Sequence, residues 1–274
     1  MADRIRVGCS SWTSDAWWGR VYPQGIPDGQ RLLLYSRLYD TVEVDSTYYA
    51  IPAARVVRHW SEVTPPGFTF ALKFPRDLMD PKKPVDESGV SAFTSRVKEL
   101  GPKLGPVLLQ FPPWFRPGEK NSTFLDGLIA ALDPGISYSV EVRHTSWFSG
   151  NAWDGLRKML EERGIALAWS SLTYVDIPPE VTSDLLYMRF IGDHVTVPEE
   201  MHGEVRVDRG REVSTWARKV RETLPKVRTA FAFFNNHFQG FAPESANLFL
   251  KAMGMDAVDY SVALKGGSDR QTSL

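Results

Sequence analysis

The segment Ser139-Val140-Glu141-Val142-Arg143-His144, followed by Thr145-Ser146-Trp147-Phe148, reads as a β-strand running into a polar turn. Alternate side chains of a strand share a face. Val140 and Val142 therefore lie on one side, and Glu141 and Arg143 on the other. A carboxylate and a guanidinium on the inner side of a strand are costly to bury unless they are paired or in use. Taken alone, the pair suits an ion bridge closing one end of a core. It gains weight because several other strands of the chain end in the same way.

Those strands are short apolar or alternating runs at residues 5–9, 41–45, 68–73, 106–111, 137–143, 165–170, 185–190 and 229–235. Helical patterns fill most of the intervals, at residues 31–39, 53–63, 91–100, 123–132, 152–163, 211–224 and 243–253. Asn121 or Ser122 and Asn151 are expected to cap the fourth and fifth of these, and Gly101, Gly164 and Gly254 to mark helix ends. Strand then helix, about eight times over, is the pattern of a (β/α)8 TIM barrel. A doubly wound open sheet is the alternative, but the chain has no G-x-G-x-x-G after its first strand and no G-x-x-x-x-G-K-[ST]. One unit is irregular. Residues 171–184 are too few for a full helix and contain Pro178-Pro179, so a loop or single turn is expected there. The polar stretches 75–90 and 192–211 are candidate lids or partner surfaces. No linker divides the chain, so residues 1–274 read as one domain, with 266–274 expected to fray.

The formal net charge of −1 makes the chain no polycation, and any nucleic-acid contact would need a local basic patch. Cys9 is the only cysteine, so no internal disulfide can form. No signal-like core and no run of about 20 apolar residues occurs. A cytoplasmic protein without membrane contact is expected.

In a (β/α)8 barrel the C-terminal strand ends build the site. Here they carry Trp12, Glu43, Asp45, Tyr48, Lys73, Gln110, Glu141, Arg143, His144, Arg189, Asn235 and Asn236, with Ser170-Ser171 after the sixth strand. The opposite ends are mostly apolar. Lys73, Arg143 and Arg189 suit a phosphate or carboxylate. Glu43, Asp45 and Glu141 balance these cations or supply a general acid or base, for which Glu43, Glu141 and His144 are the candidates. Gln110, Asn235 and Asn236 offer neutral hydrogen bonds, and Trp12 and Tyr48 a surface for a sugar or base. Trp17, Trp18 and Phe148 read instead as wedges that pack loops onto the barrel. Five histidines without paired metal spacing give little support to a metal site, and no cofactor motif is present. Cys9 reads as a small buried hydrophobe.

Taken together, Val7-Gly8-Cys9-Ser10-Ser11-Trp12, residues 41–49, Phe70-Ala71-Leu72-Lys73-Phe74-Pro75, residues 104–113, Val140-Glu141-Val142-Arg143-His144, Tyr187-Met188-Arg189-Phe190 and Phe234-Asn235-Asn236 resemble the YecE-like family, a domain of unknown function. The resemblance implies a (β/α)8 barrel in one domain and leaves the activity open. Barrels of this general type include sugar isomerases and endonuclease IV, so a phosphosugar and a nucleic acid are the natural ligand classes. Two positions depart from the family pattern: Ile191-Gly192 stands where many relatives have His-Gly, and Ser170-Ser171 where an aspartate is common. The histidine set of a metal-dependent nuclease is absent. The expectation is an enzyme, independent of metal, that binds a small anionic sugar-like ligand. A nucleic-acid protein using the same face, or a non-catalytic barrel working through a partner surface, are the alternatives. Oligomeric state is not legible.

Overall fold

The computed structural model describes residues 4–265. Its strands are β1 (Ile5–Cys9), β2 (Thr41–Val44), β3 (Thr69–Lys73), β4 (Leu104–Gln110), β5 (Tyr138–Glu141), β6 (Ala166–Ser171), β7 (Leu185–Phe190) and β8 (Thr229–Phe234). The principal helices are α1 (Asp28–Tyr35), α2 (Ala54–Val63), α3 (Glu87–Val97), α4 (Glu119–Ala130), α5 (Gly150–Arg163), α6 (Gly210–Thr223), α7 (Asn236–Gln239), α8 (Ala242–Ala252) and α9 (Ser261–Lys265). All neighbouring strands are parallel, in the order β1-β8-β7-β6-β5-β4-β3-β2. This is the expected (β/α)8 barrel, with all eight strands where the apolar runs placed them. β6 and β7 are joined without a helix, as the two prolines implied. The tail expected to fray lies outside the described residues.

The helix starts differ from expectation. α4 begins at Glu119 with Gly118 at its N-cap, and Asn121 instead donates its amide to the Arg116 carbonyl, 2.8 Å away. α5 begins at Gly150, so Asn151 lies within its first turn. Gly164 does terminate α5, at φ +61°. A left-handed residue there closes the helix without a Cβ penalty.

Two apolar layers follow from strand alternation. Val7, Val42, Leu72, Leu109, Val140, Leu167 and Met188 face the helices in a large outer core. Ala71, Leu108, Ala166, Ala168, Leu185, Tyr187, Phe231 and Phe233 fill the barrel interior as a separate cluster. Side chains two residues further along the same inner faces form the floor of the C-terminal mouth.

One seam closes without a backbone ladder. The Tyr35 hydroxyl, carried on α1, accepts from the Cys9 N–H at 2.8 Å and donates to the Thr41 carbonyl at 3.0 Å, so it bridges β1 and β2. Tyr35→Phe is expected to lower stability by about 2 kcal/mol in urea denaturation, because it leaves two buried backbone groups unpaired.

Candidate functional site at the barrel mouth

The floor of the mouth is a buried ionic network centred on Arg189, which is 2% exposed. Its Nε and Nη2 donate to the two oxygens of Glu43 at 2.8 and 2.9 Å. Its Nη1 donates to Glu141 Oε2 at 2.7 Å and to Gln110 Oε1 at 3.0 Å. The Tyr187 hydroxyl donates to Glu43 Oε2 at 2.7 Å, and Ser170 Oγ to Glu141 Oε2 at 2.8 Å. Arg143 Nε donates to the other oxygen of Glu141. β2, β4, β5, β6 and β7 thus each place a side chain in one connected network.

Burial alone would push both glutamates up. The Arg189 and Lys73 charges hold Glu43 below its ordinary value, and Arg143 with Arg189 hold Glu141 well below its own. Both therefore stay ionised. Tyr187 is driven well above its ordinary value by burial and by the Glu43 charge, so it remains a hydrogen-bond donor.

Above this floor the network opens. Lys73 Nζ lies 2.6 Å from Asp45 Oδ1. The Asp45 side chain is 38% exposed although Oδ1 itself is shielded. Burial of its carboxyl, with Glu43 nearby, raises Asp45 above its ordinary value despite Lys73. Asp45 is thus the carboxyl of this group that is both reachable and eased toward its protonated form. Lys73 Nζ also sits over the Tyr48 ring, 5.8 Å from its centroid. The terminal nitrogens of Arg143 have no hydrogen-bond partner among the described residues.

The other expected site residues are engaged elsewhere. His144 caps the turn that follows it: its Nδ1 accepts from the Ser146 N–H at 3.2 Å, which places the neutral ring's proton on Nε2. Asn235 accepts from the His237 N–H at 3.0 Å and so caps α7. Asn236 Oδ1 accepts from Trp17 Nε1 at 3.1 Å and the Ala242 N–H at 2.9 Å, while its amide donates to Ser14 Oγ at 3.1 Å. Trp12 packs edge-on against Trp60 of α2, with ring centroids 5.9 Å apart. These four residues are not joined to the ionic network. Tyr187 and Ser170 belong to it and were not singled out from sequence as site residues. Their signal was present: Tyr187 precedes Arg189 by two, and Ser170 lies beside Arg189 in the β6–β7 register.

Among the described residues, no three His, Cys, Asp or Glu side chains are grouped so as to hold a metal ion. No helix among them is long and apolar enough to cross a membrane.

The loop after β7 meets α7 through three histidines. His237 Nδ1 lies 2.6 Å from the Val197 carbonyl oxygen and therefore carries the proton of that contact. His202 Nε2 faces the same nitrogen at 3.2 Å, and the His194 ring centroid is 3.7 Å from that of His237. His202 Nε2 must then present its lone pair. Burial first, and His237 second, hold His194 and His202 below their ordinary value of 6.5, against the pull of Glu199 on both and of Asp193 on His194; Arg143 acts with His237. The unfolded chain takes up these protons first as pH falls. The stabilising effect is whole above pH 6.5 and is lost as pH falls below it. Melting temperatures at pH 7.5 and 5.5 are expected to differ less in His202→Gln than in wild type.

Comparison with known proteins places this geometry in a family. The model of the family described as "Protein of unknown function DUF72" matches residues 6–267. UPF0759 protein YecE of Escherichia coli strain K12 is 33% identical over 167 residues, covering 59% of this chain and 57% of YecE, so that match spans little more than half of the relative. UPF0759 protein YunF of Bacillus subtilis strain 168 is 24% identical over 280 residues, covering 92% of this chain and 95% of YunF. The crystal structure of a DUF72 protein from Thermotoga maritima superposes with a TM-score of 0.78 at 27% identity, covering 92% of this chain and 99% of that one. One from Enterococcus faecalis, at 21% identity and TM-score 0.75, covers 92% and 96% and shares the fold. With its family model matched almost from end to end, this chain belongs to the DUF72 family.

Proposed function

We propose that the mouth of the barrel is the site of an acid–base enzyme acting on a small anionic, sugar-like compound, phosphorylated or carboxylated. The observation that carries this reading is the contrast between successive inner layers. Below Arg189 the barrel is filled by Ala, Leu, Tyr and Phe; at its level it holds two fully buried carboxylates and a buried guanidinium. Well-packed apolar residues often stabilise a fold as much as a buried ion network or more. A network kept at the functional end of this fold therefore points to a ligand.

Arg143 and Lys73 are the anion contacts in this reading. Glu43, Glu141 and Arg189 form a fixed electrostatic floor, and Gln110 and Tyr187 orient it. Glu43 and Glu141 are held ionised and poorly suited to carry a proton near neutral pH. Of the three carboxyls at the mouth, Asp45 is the one raised above its ordinary value, by burial, and its side chain is reachable, which favours it as the proton carrier.

The test is a thermal-shift panel of sugar phosphates and sugar acids, since a ligand that binds the folded state raises its apparent stability. An anionic sugar is expected to raise the melting temperature of wild type. Arg143→Ala is expected to weaken that ligand about 100-fold, within the range for removing one partner of a buried charge pair. Asp45→Asn should keep binding and lose turnover. Stabilisation by uncharged sugars alone, unchanged in Arg143→Ala, would overturn the reading. The balance of three carboxylates and three cations at the mouth gives a nucleic acid no net field to follow. An oligonucleotide hit that fades with salt would reverse that preference.

A further inference from the structure

The surface around the mouth carries more than a small anion needs. The described residues expose seven large apolar side chains, and six of them, Tyr49, Ile51, Trp114, Tyr174, Val195 and Val205, lie on loops that leave the C-terminal ends of β2, β4, β6 and β7. Tyr49 is 62% exposed and Trp114 56%. Scattered apolar residues on a surface need no explanation, but their concentration at one end of a barrel does.

Tyr49 is joined to the site by a chain of contacts. The Lys73 ammonium faces the Tyr48 ring at 5.8 Å from its centroid. Tyr48 and Tyr49 meet edge to face, with centroids 5.5 Å apart at 83°. The Arg76 guanidinium covers one face of Tyr49 at 5.3 Å. Among the described residues the ion pair of Arg76 is a long one, 3.7 Å to Asp77, and both side chains are largely exposed. Arg143 and Arg76 both act electrostatically on the Tyr48 hydroxyl, opposing the burial that raises its pKa. Tyr48 therefore joins the Lys73 ammonium to Tyr49, and the exposed Tyr49 ring lies between Tyr48 and the Arg76 guanidinium.

Resting on the anionic-ligand reading above, we infer that the ligand is a nucleoside phosphate, with its phosphate on the cations of the mouth and on Arg76, and its base stacked on Tyr49. A phosphosugar alone would engage the cations and leave Tyr49 bare. A planar heterocycle uses an aromatic face that a cation already polarises from behind. Glu43, Glu141 and Gln110 are buried and engaged with Arg189, so recognition of the ring is by stacking and is tolerant of base identity.

The experiment compares the affinities of adenosine 5′-monophosphate, ribose 5-phosphate and adenosine by calorimetry, on wild type and on Tyr49→Ala, Arg76→Ala and Arg143→Ala. Tyr49 and Arg76 are exposed, so these variants are expected to fold, which their melting temperatures check. Stacking should make the nucleotide bind about 10-fold more tightly than ribose 5-phosphate to wild type. Tyr49→Ala should abolish that preference and leave ribose 5-phosphate unchanged. Arg76→Ala and Arg143→Ala should weaken both phosphates. Equal affinity of the nucleotide and ribose 5-phosphate for wild type would overturn the nucleoside inference while sustaining the anionic-sugar reading. Adenosine binding as tightly as its phosphate would overturn both. If neither phosphate bound, the nucleoside inference would fall, and the anionic-sugar reading would fall with it unless a sugar acid of the thermal-shift panel bound.

Discussion

Arg189→Met is expected to lower stability by about 3–5 kcal/mol in urea denaturation, the range for removing one partner of a buried ion network. Methionine fills much of the same space, so the loss is electrostatic more than steric. Arg189 makes four hydrogen bonds to three side chains, and Glu43 receives two of them. Without Arg189, Glu43 keeps the Tyr187 hydroxyl and the more distant Lys73 charge, and its carboxyl must rise toward protonation. The pH dependence follows in sign. In wild type both glutamates lie below their ordinary value of 4.5, so their stabilising effect is present above pH 4.5 and is lost as pH falls below it. Arg189→Met should show a shallower loss over that acid range. Replacing the set together, as Glu43→Leu, Glu141→Leu and Arg189→Met, is expected to recover much of the stability, because the fully buried charges go together and only Arg143, nearer the rim, loses its carboxylate. Recovery of folding with loss of ligand binding separates function from architecture. A triple variant as unstable as the single one would show the network to be the keystone of the barrel and would count against a functional reason for it.

Much of this was legible in the chain. Strand positions follow from runs such as Leu185-Leu186-Tyr187-Met188-Arg189-Phe190, where burial on both faces of a parallel strand leaves a nearly continuous apolar signal. The ionic network was legible because charges at strand ends cannot be placed by apolar packing, and Glu43, Gln110, Glu141 and Arg189 all fall in it. Asn235 and Asn236 stand outside that network for a local reason. Short amides at strand ends compete for backbone N–H groups, and these two hold α7 and α8 in place. The division of labour among the carboxyls was not legible either. Glu43 and Asp45 sit two residues apart on one strand end, yet one meets a guanidinium on both oxygens and the other meets a single ammonium at the rim. That difference comes from the barrel's curvature, which brings β7 across to β2. Sequence spacing does not carry it. Tyr35 was hidden for the same reason: its position on α1 marks it as core, and only the closed barrel shows its hydroxyl joining two strands.

Gly8→Ala tests that closure, with an expected loss of about 3 kcal/mol, the upper part of the usual range for overpacking. A Cβ at this position would lie 2.3 Å from the Thr41 carbonyl oxygen and 2.9 Å from the Tyr35 hydroxyl. The first contact is with backbone, so no rotamer change relieves it. β1 and β2 must part, and the hydroxyl bridge between Cys9 and Thr41 parts with them. The disturbance reaches the site because Glu43 is two residues beyond Thr41 on the same short strand, and its bidentate bond to Arg189 tolerates little displacement. Ligand affinity should therefore fall along with stability. A double-mutant cycle with Tyr35→Phe separates the two contacts. Removing the hydroxyl relieves the 2.9 Å contact and leaves the 2.3 Å one, so the double variant should lose less than the two single losses combined but remain well below Tyr35→Phe alone. If Gly8→Ala proved neutral in both backgrounds, β1 and β2 would be free to move apart, and the hydroxyl would be an ornament of the seam and not its fastening.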